Sequence, residues 1–366
     1  MSRLFTDNTT NRPLQSGKHI LSFFTRVSGL FLALVMLYSF SSCGQSYSEG
    51  NAARKDTTDQ DPAAVLQEAP KVVALDTAAY DAKMQQITNG DSSGLWPVKA
   101  PYPLPGAILP FKRVVSYYGN LYSKQMGILG ELPPAQMLAK LKEEVKRWEA
   151  ADSATPVQPA LHYIAVTAQG SAGKDGKYRL RMPFHQIDSV RNMAKRIDAI
   201  TFVDVQVALS TLQQEIPQLE KYLIEPDVHL GIDPEFSMKK GERPGTVIGT
   251  FTAEDINYVI NYLADLVKKY NLPPKILIVH RFTQGMVTNY RQIKPCPEVQ
   301  VVMDMDGWGM QARKINTYRT FIHKEPVQFT GFKLFYKNDF REKGSHIMTP
   351  EEVLKLKPQP IYIQYQ

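Results

Sequence analysis

Residues 228–235 read Val-His-Leu-Gly-Ile-Asp-Pro-Glu, an apolar run that ends in two acidic residues. A second stretch, residues 301–308, has the same form and reads Val-Val-Met-Asp-Met-Asp-Gly-Trp. Short runs that are almost continuously hydrophobic are typical of parallel strands that are covered by helices on their outer face. Both stretches therefore indicate buried strands of an α/β fold, with carboxylic acids at or just beyond their carboxyl ends.

The same kind of run recurs along the chain. Eight runs rich in β-branched and aromatic residues follow residue 110: Val114–Tyr118, Tyr163–Thr167, Phe202–Ala208, Val228–Ile232, Ile276–His280, Val299–Met305, Phe332–Tyr336 and Ile361–Tyr365. Helical patterns fill most of the gaps between them. Eight strands that alternate with helices predict a (β/α)8 barrel of the TIM type.

Helix signals support this order of elements. Residues 134–150 carry a one-sided apolar stripe after two prolines, and Thr252 with Asp255 forms the pattern of a capping box. The last run ends the sequence, so the eighth helix is apparently missing, and we expect residues 80–110 to cover that gap or to close the barrel bottom. The alternative is an open doubly wound sheet, which would need a glycine-rich phosphate turn where residues 118–120 read Tyr-Gly-Asn.

The first forty residues have the pattern of a secretory signal. Residues 1–28 are polar and basic, and residues 30–37 form an apolar run too short to span a bilayer. Ser41-Ser42-Cys43 then resembles the lipobox of bacterial lipoproteins, with Phe40 in place of the usual leucine. The resemblance implies cleavage before Cys43, lipidation there, and an envelope protein that is anchored to a membrane. The alternative is an N-terminal anchor that stays attached.

Composition predicts how the chain is divided into segments. We predict a signal peptide over residues 1–42, a flexible tether over residues 43–79 that is disordered, and a barrel domain over residues 80–366. The 366 residues carry a formal charge of +7. Removing residues 1–42 leaves 39 basic against 35 acidic residues, or +4, so nothing favours nucleic-acid binding. The seven histidines show no paired spacing for zinc and no HExxH motif occurs, so the sequence predicts no metal and no cofactor.

In a barrel, the carboxyl ends of the strands form the face that carries chemistry. Asp233 and Glu235 follow the fourth run, and Asp304 and Asp306 stand at the same height on the sixth. Acids within apolar strands are costly unless they are solvated or paired, so their placement indicates a site. The structural alternative is that Asp233 and Asp304 cap loops or pair with Arg281 and Lys333.

Paired carboxyl groups across a barrel mouth suit cleavage of a glycosidic bond, because one must donate a proton and another must stabilise the positive centre that develops. Glu235 is the candidate acid, Asp233 the neighbour that raises its pKa, and Asp304 the third catalytic acid. Candidate substrate-binding residues, taken from the same strand ends, are Asp204, Gln206, Tyr117, His280, Asp306, Trp308, Tyr336 and Gln364.

These motifs resemble glycoside hydrolase family 25, the lysozyme-type muramidases. Asp233-Pro234-Glu235, Asp304 and Gln364-Tyr365 stand where that family carries Asp-x-Glu, an aspartate and an aromatic-Gln-Tyr motif. The first strand departs from the family, because residues 116–120 contain no aspartate. The resemblance implies a lipid-anchored envelope glycoside hydrolase-like protein that acts on a polysaccharide or peptidoglycan-type glycan. The alternative is a catalytically silent barrel lipoprotein that binds a glycan or a partner protein.

Overall fold

The computed structural model of the protein describes residues 74–366. The predicted signal peptide, the lipidation site Cys43 and the predicted tether up to residue 73 lie outside the described residues. The first described element is helix α1, Thr77–Ile87, which begins just before the predicted start of the barrel domain. Within residues 74–366, every helix is too short or too polar to cross a bilayer.

In the described part of the chain, eight parallel strands form a closed barrel. They are β1 Arg113–Gly119, β2 Val157–Ala168, β3 Ile200–Val205, β4 Val228–Ile232, β5 Lys275–Arg281, β6 Val299–Met305, β7 Phe329–Leu334 and β8 Tyr362–Tyr365. Each strand pairs in parallel with the next one, and β1 pairs with both β2 and β8. This pairing closes the ring, so the predicted (β/α)8 barrel is confirmed and an open sheet is excluded.

The strand bounds agree best where the apolar run is uninterrupted. Strands β4 and β6 begin and end where the sequence predicts. Strand β7 begins at Phe329, three residues before its predicted start. Gly331 interrupts the apolar pattern in the sequence, but it pairs with Asp304 and Tyr362 of the neighbouring strands and so belongs to the strand. Outside the ring, Arg179–Arg181 pairs antiparallel with β2, and Phe251–Thr252 pairs with Val287–Thr288.

Helices cover the outside of the barrel. They are α2 Ile128–Glu131, α3 Pro134–Ala151, α4 Phe184–Lys195, α5 Leu212–Glu215, α6 Glu220–Leu223, α7 Ala253–Tyr270, α8 Gln311–Thr317 and α9 Pro350–Val353. Helix α7 begins at the predicted capping box, in which Thr252 and Asp255 bond each other's backbone, and it ends at Asn271 in the left-handed conformation. Helix α8 continues as a π-helix over Tyr318–His323.

The bottom of the barrel is closed by the segment that precedes β1. Tyr80, Met84 and Ile87 of α1 pack with Leu109 against an apolar layer inside the barrel. The strand residues of this layer are Val114, Ala160, Ile200, Phe202, Ile276, Ile278, Val302, Phe329, Ile361 and Tyr362. The lower half of the interior is therefore largely apolar, and the acidic side chains of the interior lie above it, which positions the site.

Candidate active site

A pocket of about 540 Å³ lies at the carboxyl ends of the strands. Its lining combines charged groups with aromatic rings: Tyr118, Gln206, Asp233, Glu235, Phe236, Phe282, Asp306, Trp308, Lys333 and Phe335. Pockets of several hundred Å³ with a few convergent polar groups are typical of small-molecule sites in proteins. The strand-four acids and one strand-six acid thus meet at one end of the barrel.

Asp233 and Glu235 are held by the turn that follows β4. Asp233 Oδ1 accepts a hydrogen bond from the backbone N–H of Glu235 at 3.0 Å, and this bond caps the short 3₁₀ turn Pro234–Phe236. Asp233 Oδ2 accepts from Gln206 Nε2 at 3.2 Å. Asp233 is therefore both a capping residue and a pocket residue, whereas the side chain of Glu235 is only partly buried.

The electrostatics of the pocket shift its acids in opposite directions. Burial and the neighbouring Asp233 raise the pKa of Glu235 to about 8. Burial also raises the pKa of Asp233, to which Asp204 and Asp306 add. The pKa of Asp306 is lowered. Burial alone would raise it, but the positive charges of Lys333 and His280 outweigh burial, and Lys333 Nζ lies 2.9 Å from Asp306 Oδ1. The pocket therefore favours the protonated form of Glu235 and the ionised form of Asp306.

The structure separates the two acids of strand six by depth. Successive inward residues of a strand differ in height by about 6.6 Å. Asp306 lines the pocket, whereas Asp304 is fully buried one layer below it, 3.4 Å from His280 Nδ1. The predicted pairing partners also differ, because Lys333 pairs with Asp306 and Arg281 points outward to Glu325.

Five other predicted site residues lie in or below the pocket, and His280 is one of those fully buried beneath it. Gln206 and Trp308 line it, and Trp308 is 44% exposed with the Arg341 guanidinium over its ring. Asp204 and Gln364 are fully buried below the pocket. Gln364 donates to Tyr362 Oη at 2.8 Å, whereas Asp204 accepts from Tyr118 Oη at 2.9 Å.

Two predicted substrate-binding residues lie on the other side of the barrel wall from the pocket. Tyr117 and Tyr336 lie on the outside of the barrel, where their hydroxyls are 2.9 Å apart and Tyr336 donates to Glu144 of α3 at 3.0 Å. The cause is strand parity, since neighbouring residues point to opposite faces. Tyr118 and Phe335 therefore line the pocket, and placing Tyr117 and Tyr336 there was wrong.

Three polar residues of the barrel interior were not predicted as site residues. Lys333 was considered only as a partner for an aspartate, and Tyr118 only as the end of the first apolar run. His162 was not singled out. Its position in the strand is the signal that identifies it. Like Asp204 and His280, it points into the barrel from a strand whose other inward residues are apolar. Burial lowers the pKa of His162 to about 4, and the acids around His280 outweigh burial and raise its pKa.

No protein-family model and no curated protein matches the chain. One similar solved structure is a "GH5-4 broad specificity endoglucanase from an uncultured bovine rumen ciliate", 10% identical over 64% of this chain and 76% of that chain, with a TM-score of 0.32. Another is ZgEngAGH5_4 in complex with a cellotriose, 9% identical over 71% of this chain and 88% of that chain, with a TM-score of 0.37. Since both likenesses are weak, the barrel rests on its own strand pairing, and the resemblance to family 25 stays one of short motifs.

Proposed function

We propose that the protein is a glycoside hydrolase whose general acid is Glu235. One observation carries this proposal: within one pocket, Glu235 has a raised pKa and Asp306 a lowered one. Carboxyl groups whose environments push their pKa values apart fit the acid and the ionised partner of glycosidic cleavage. Asp306 therefore replaces Asp304 as the strand-six acid that faces the substrate.

Each group then has a defined task in the reaction. Glu235 donates its proton to the leaving glycosidic oxygen, and Asp233 keeps that proton on Glu235 by disfavouring a second charge beside it. Asp306 stabilises the positive charge that develops at the anomeric centre as the glycosidic bond breaks, and a water molecule then adds to that centre and gives its proton to Glu235, which restores the acid. Lys333 keeps Asp306 ionised, and its position over the Tyr118 ring, 4.0 Å from the ring centre, fixes it at the pocket floor.

The rim of the pocket supports a glycan as the substrate. Trp308, Phe236 and Phe282 place aromatic surface next to the acids, and sugar rings present apolar faces that stack on aromatic side chains. We propose a polysaccharide or peptidoglycan-type glycan, met by a protein that is lipid-anchored in the cell envelope. Support for the anchor comes from the pattern of residues 30–43 alone.

The substitution Glu235→Gln tests the proposal. It keeps the shape of the side chain and removes the transferable proton, so turnover on a glycan that the wild type cleaves should fall about 10²- to 10⁴-fold while binding survives. Glu242→Gln, on the loop that follows and outside the pocket lining, is the matched control and should keep full turnover.

Two outcomes would contradict the proposal. Full activity in Glu235→Gln would remove Glu235 as the acid. If the wild type cleaves none of a panel of envelope and plant polysaccharides, yet binds one with an affinity that Glu235→Gln leaves unchanged, the protein is a glycan-binding barrel without catalysis.

A further inference from the structure

Directly below the pocket, three ligand-type atoms converge from three strands. They are His162 Nε2 on β2, Asp204 Oδ1 on β3 and His280 Nε2 on β5. All three residues are fully buried, and among the described residues none of these atoms has a hydrogen-bond partner. Buried polar atoms are normally satisfied, so three orphans that face one another need an explanation.

Two of the three distances within this group are close to those between ligands of one metal ion. Asp204 Oδ1 lies 3.5 Å from His162 Nε2 and 3.6 Å from His280 Nε2, and the three atoms lie within 4.8 Å of one another. A charged N–H···O bond is shorter, about 2.7–2.9 Å. Two ligands that each lie about 2.1 Å from a tetrahedral metal ion are about 3.4 Å apart. The two measured separations are closer to the second value.

The outer ring nitrogen of His162 is hydrogen-bonded, whereas that of His280 lies close to the carboxylates of Asp304 and Asp306 without forming a hydrogen bond. His162 Nδ1 lies 2.6 Å from Tyr362 Oη, and His280 Nδ1 lies 3.2 Å from Asp306 Oδ2. Histidines that bind metals usually donate their second N–H to such a hydroxyl or carboxylate, which leaves the inner lone pair free for the ion. Tyr118 completes this outer shell through its bond to Asp204 Oδ2.

A glycine keeps the space between these atoms open. A Cβ atom on Gly231 of β4 would lie 2.4 Å from Asp204 Oδ1 and 2.4 Å from His162 Nε2. Any other residue at position 231 would therefore occupy the gap that the two atoms face. The charge balance also favours a cation, because Asp204, Asp304 and Asp306 surround His280, and the neighbouring Lys333 pairs with Asp306.

We propose that His162, Asp204 and His280 bind one divalent transition-metal ion of the zinc type. Two imidazoles and one carboxylate suit Zn²⁺, Fe²⁺ or Co²⁺ and do not suit Mg²⁺ or Ca²⁺, which prefer oxygen ligands. The three ligands do not line the pocket, so the ion ties β2, β3 and β5 together beneath it. This proposal departs from the expectation, drawn from histidine spacing along the chain, that the protein binds no metal, and it does not depend on the proposed glycosidase activity.

Metal uptake by the full chain tests the site. The purified protein is stripped with EDTA and titrated with ZnCl₂, with CoCl₂ and with MgCl₂ as a comparison. We expect one equivalent of zinc by elemental analysis after gel filtration, a visible absorption band with cobalt, and a melting temperature that rises with zinc but not with magnesium.

Variants locate the ion. His162→Gln and Asp204→Asn should each lose the stoichiometric zinc, and Tyr362→Phe, which removes only an outer partner, should weaken binding about 10- to 100-fold. Two controls should keep one equivalent. They are His229→Gln, another buried barrel histidine outside the group, and His346→Gln, a histidine on the exposed surface.

Wild-type behaviour decides the matter even where a variant fails to fold. If the stripped wild type takes up neither zinc nor cobalt stoichiometrically, the proposal is overturned and the layer is a cluster of aspartates paired with His280. It is equally overturned if folded His162→Gln and Asp204→Asn keep the zinc, or if His346→Gln loses it, because the ion then binds elsewhere.

Discussion

Glu235 is the residue on which the proposed chemistry depends, and its pKa of about 8 makes the pH dependence testable. An acid is active while protonated, so kcat/KM should be retained below that value and lost as the pH rises through about 8. Asp233, Asp306, Lys333 and His280 face Glu235, and of these Asp233 contributes most to raising its pKa.

Asp233→Asn should therefore move the alkaline limb of the pH profile to lower pH, because it removes the neighbouring charge that disfavours ionised Glu235. The measurement is kcat/KM across the neutral and alkaline range for the wild type and the variant. An alkaline limb that stays in place in Asp233→Asn would show that Asp233 does not control the acid. If activity is lost without any shift of the limb, the role of Asp233 is structural, through its capping bond to the turn.

The sequence did not predict which face of a strand each residue occupies, and the neighbours Tyr117 and Tyr118 show why. Tyr117 and Tyr118 are chemically alike, and a shift of one residue turns a side chain to the other face of the strand. Nothing in a run of aromatic and β-branched residues fixes this parity. The acids were easier to identify, because Asp233, Asp304 and Asp306 interrupt or follow runs that are otherwise almost continuously apolar. Their depth in the barrel still required the structure.

At the scale of elements, the contact between β1, β7 and α3 should be structural. Tyr336→Phe removes the hydrogen bonds to Tyr117 and Glu144, so the free energy of unfolding should fall by about 0.5–1.5 kcal/mol. Because Tyr336 lies outside the barrel, kcat and KM should not change. Urea unfolding and steady-state kinetics on the same preparation measure both. A raised KM would restore Tyr336 to the substrate-binding set.

Helix α1 contributes to stability from the end opposite the pocket. Met84 is buried against the apolar bottom layer, so Met84→Ala should lower the free energy of unfolding by about 2–5 kcal/mol. Activity per folded molecule should stay the same, since the barrel separates α1 from the acids. Gln86→Ala, an exposed position on the same helix, is the control and should change stability by less than about 0.5 kcal/mol. Equal losses in both variants would mean that α1 does not close the barrel.

At the scale of the whole molecule, the sequence could predict the order of elements because each strand and helix is encoded locally. Apolar period, capping residues and prolines lie within a few positions of one another. The layer of His162, Asp204 and His280 is different in kind. Its members come from three strands far apart in the chain, and they meet only once the barrel closes.

The proposed location of this barrel rests on Cys43, which lies outside the described residues. A lipidated cysteine would become the first residue of the mature protein, and the chain would face outward from a membrane. Cys43→Ala expressed in a bacterial host fed alkyne-tagged palmitate should incorporate no label and should accumulate as a precursor of higher mass.

Cys296 supplies the matched control for this experiment. It is partly buried between two prolines, and burial raises the pKa of its thiol to about 11, so it is a poor nucleophile at neutral pH. Cys296→Ala should therefore take up as much label as the wild type. Label at the wild-type level in Cys43→Ala would remove the lipid anchor. A precursor that stays uncleaved, unlabelled and membrane-bound in the wild type would instead support an attached N-terminal anchor, because the apolar run of residues 30–37 would then hold the protein in place of a lipid.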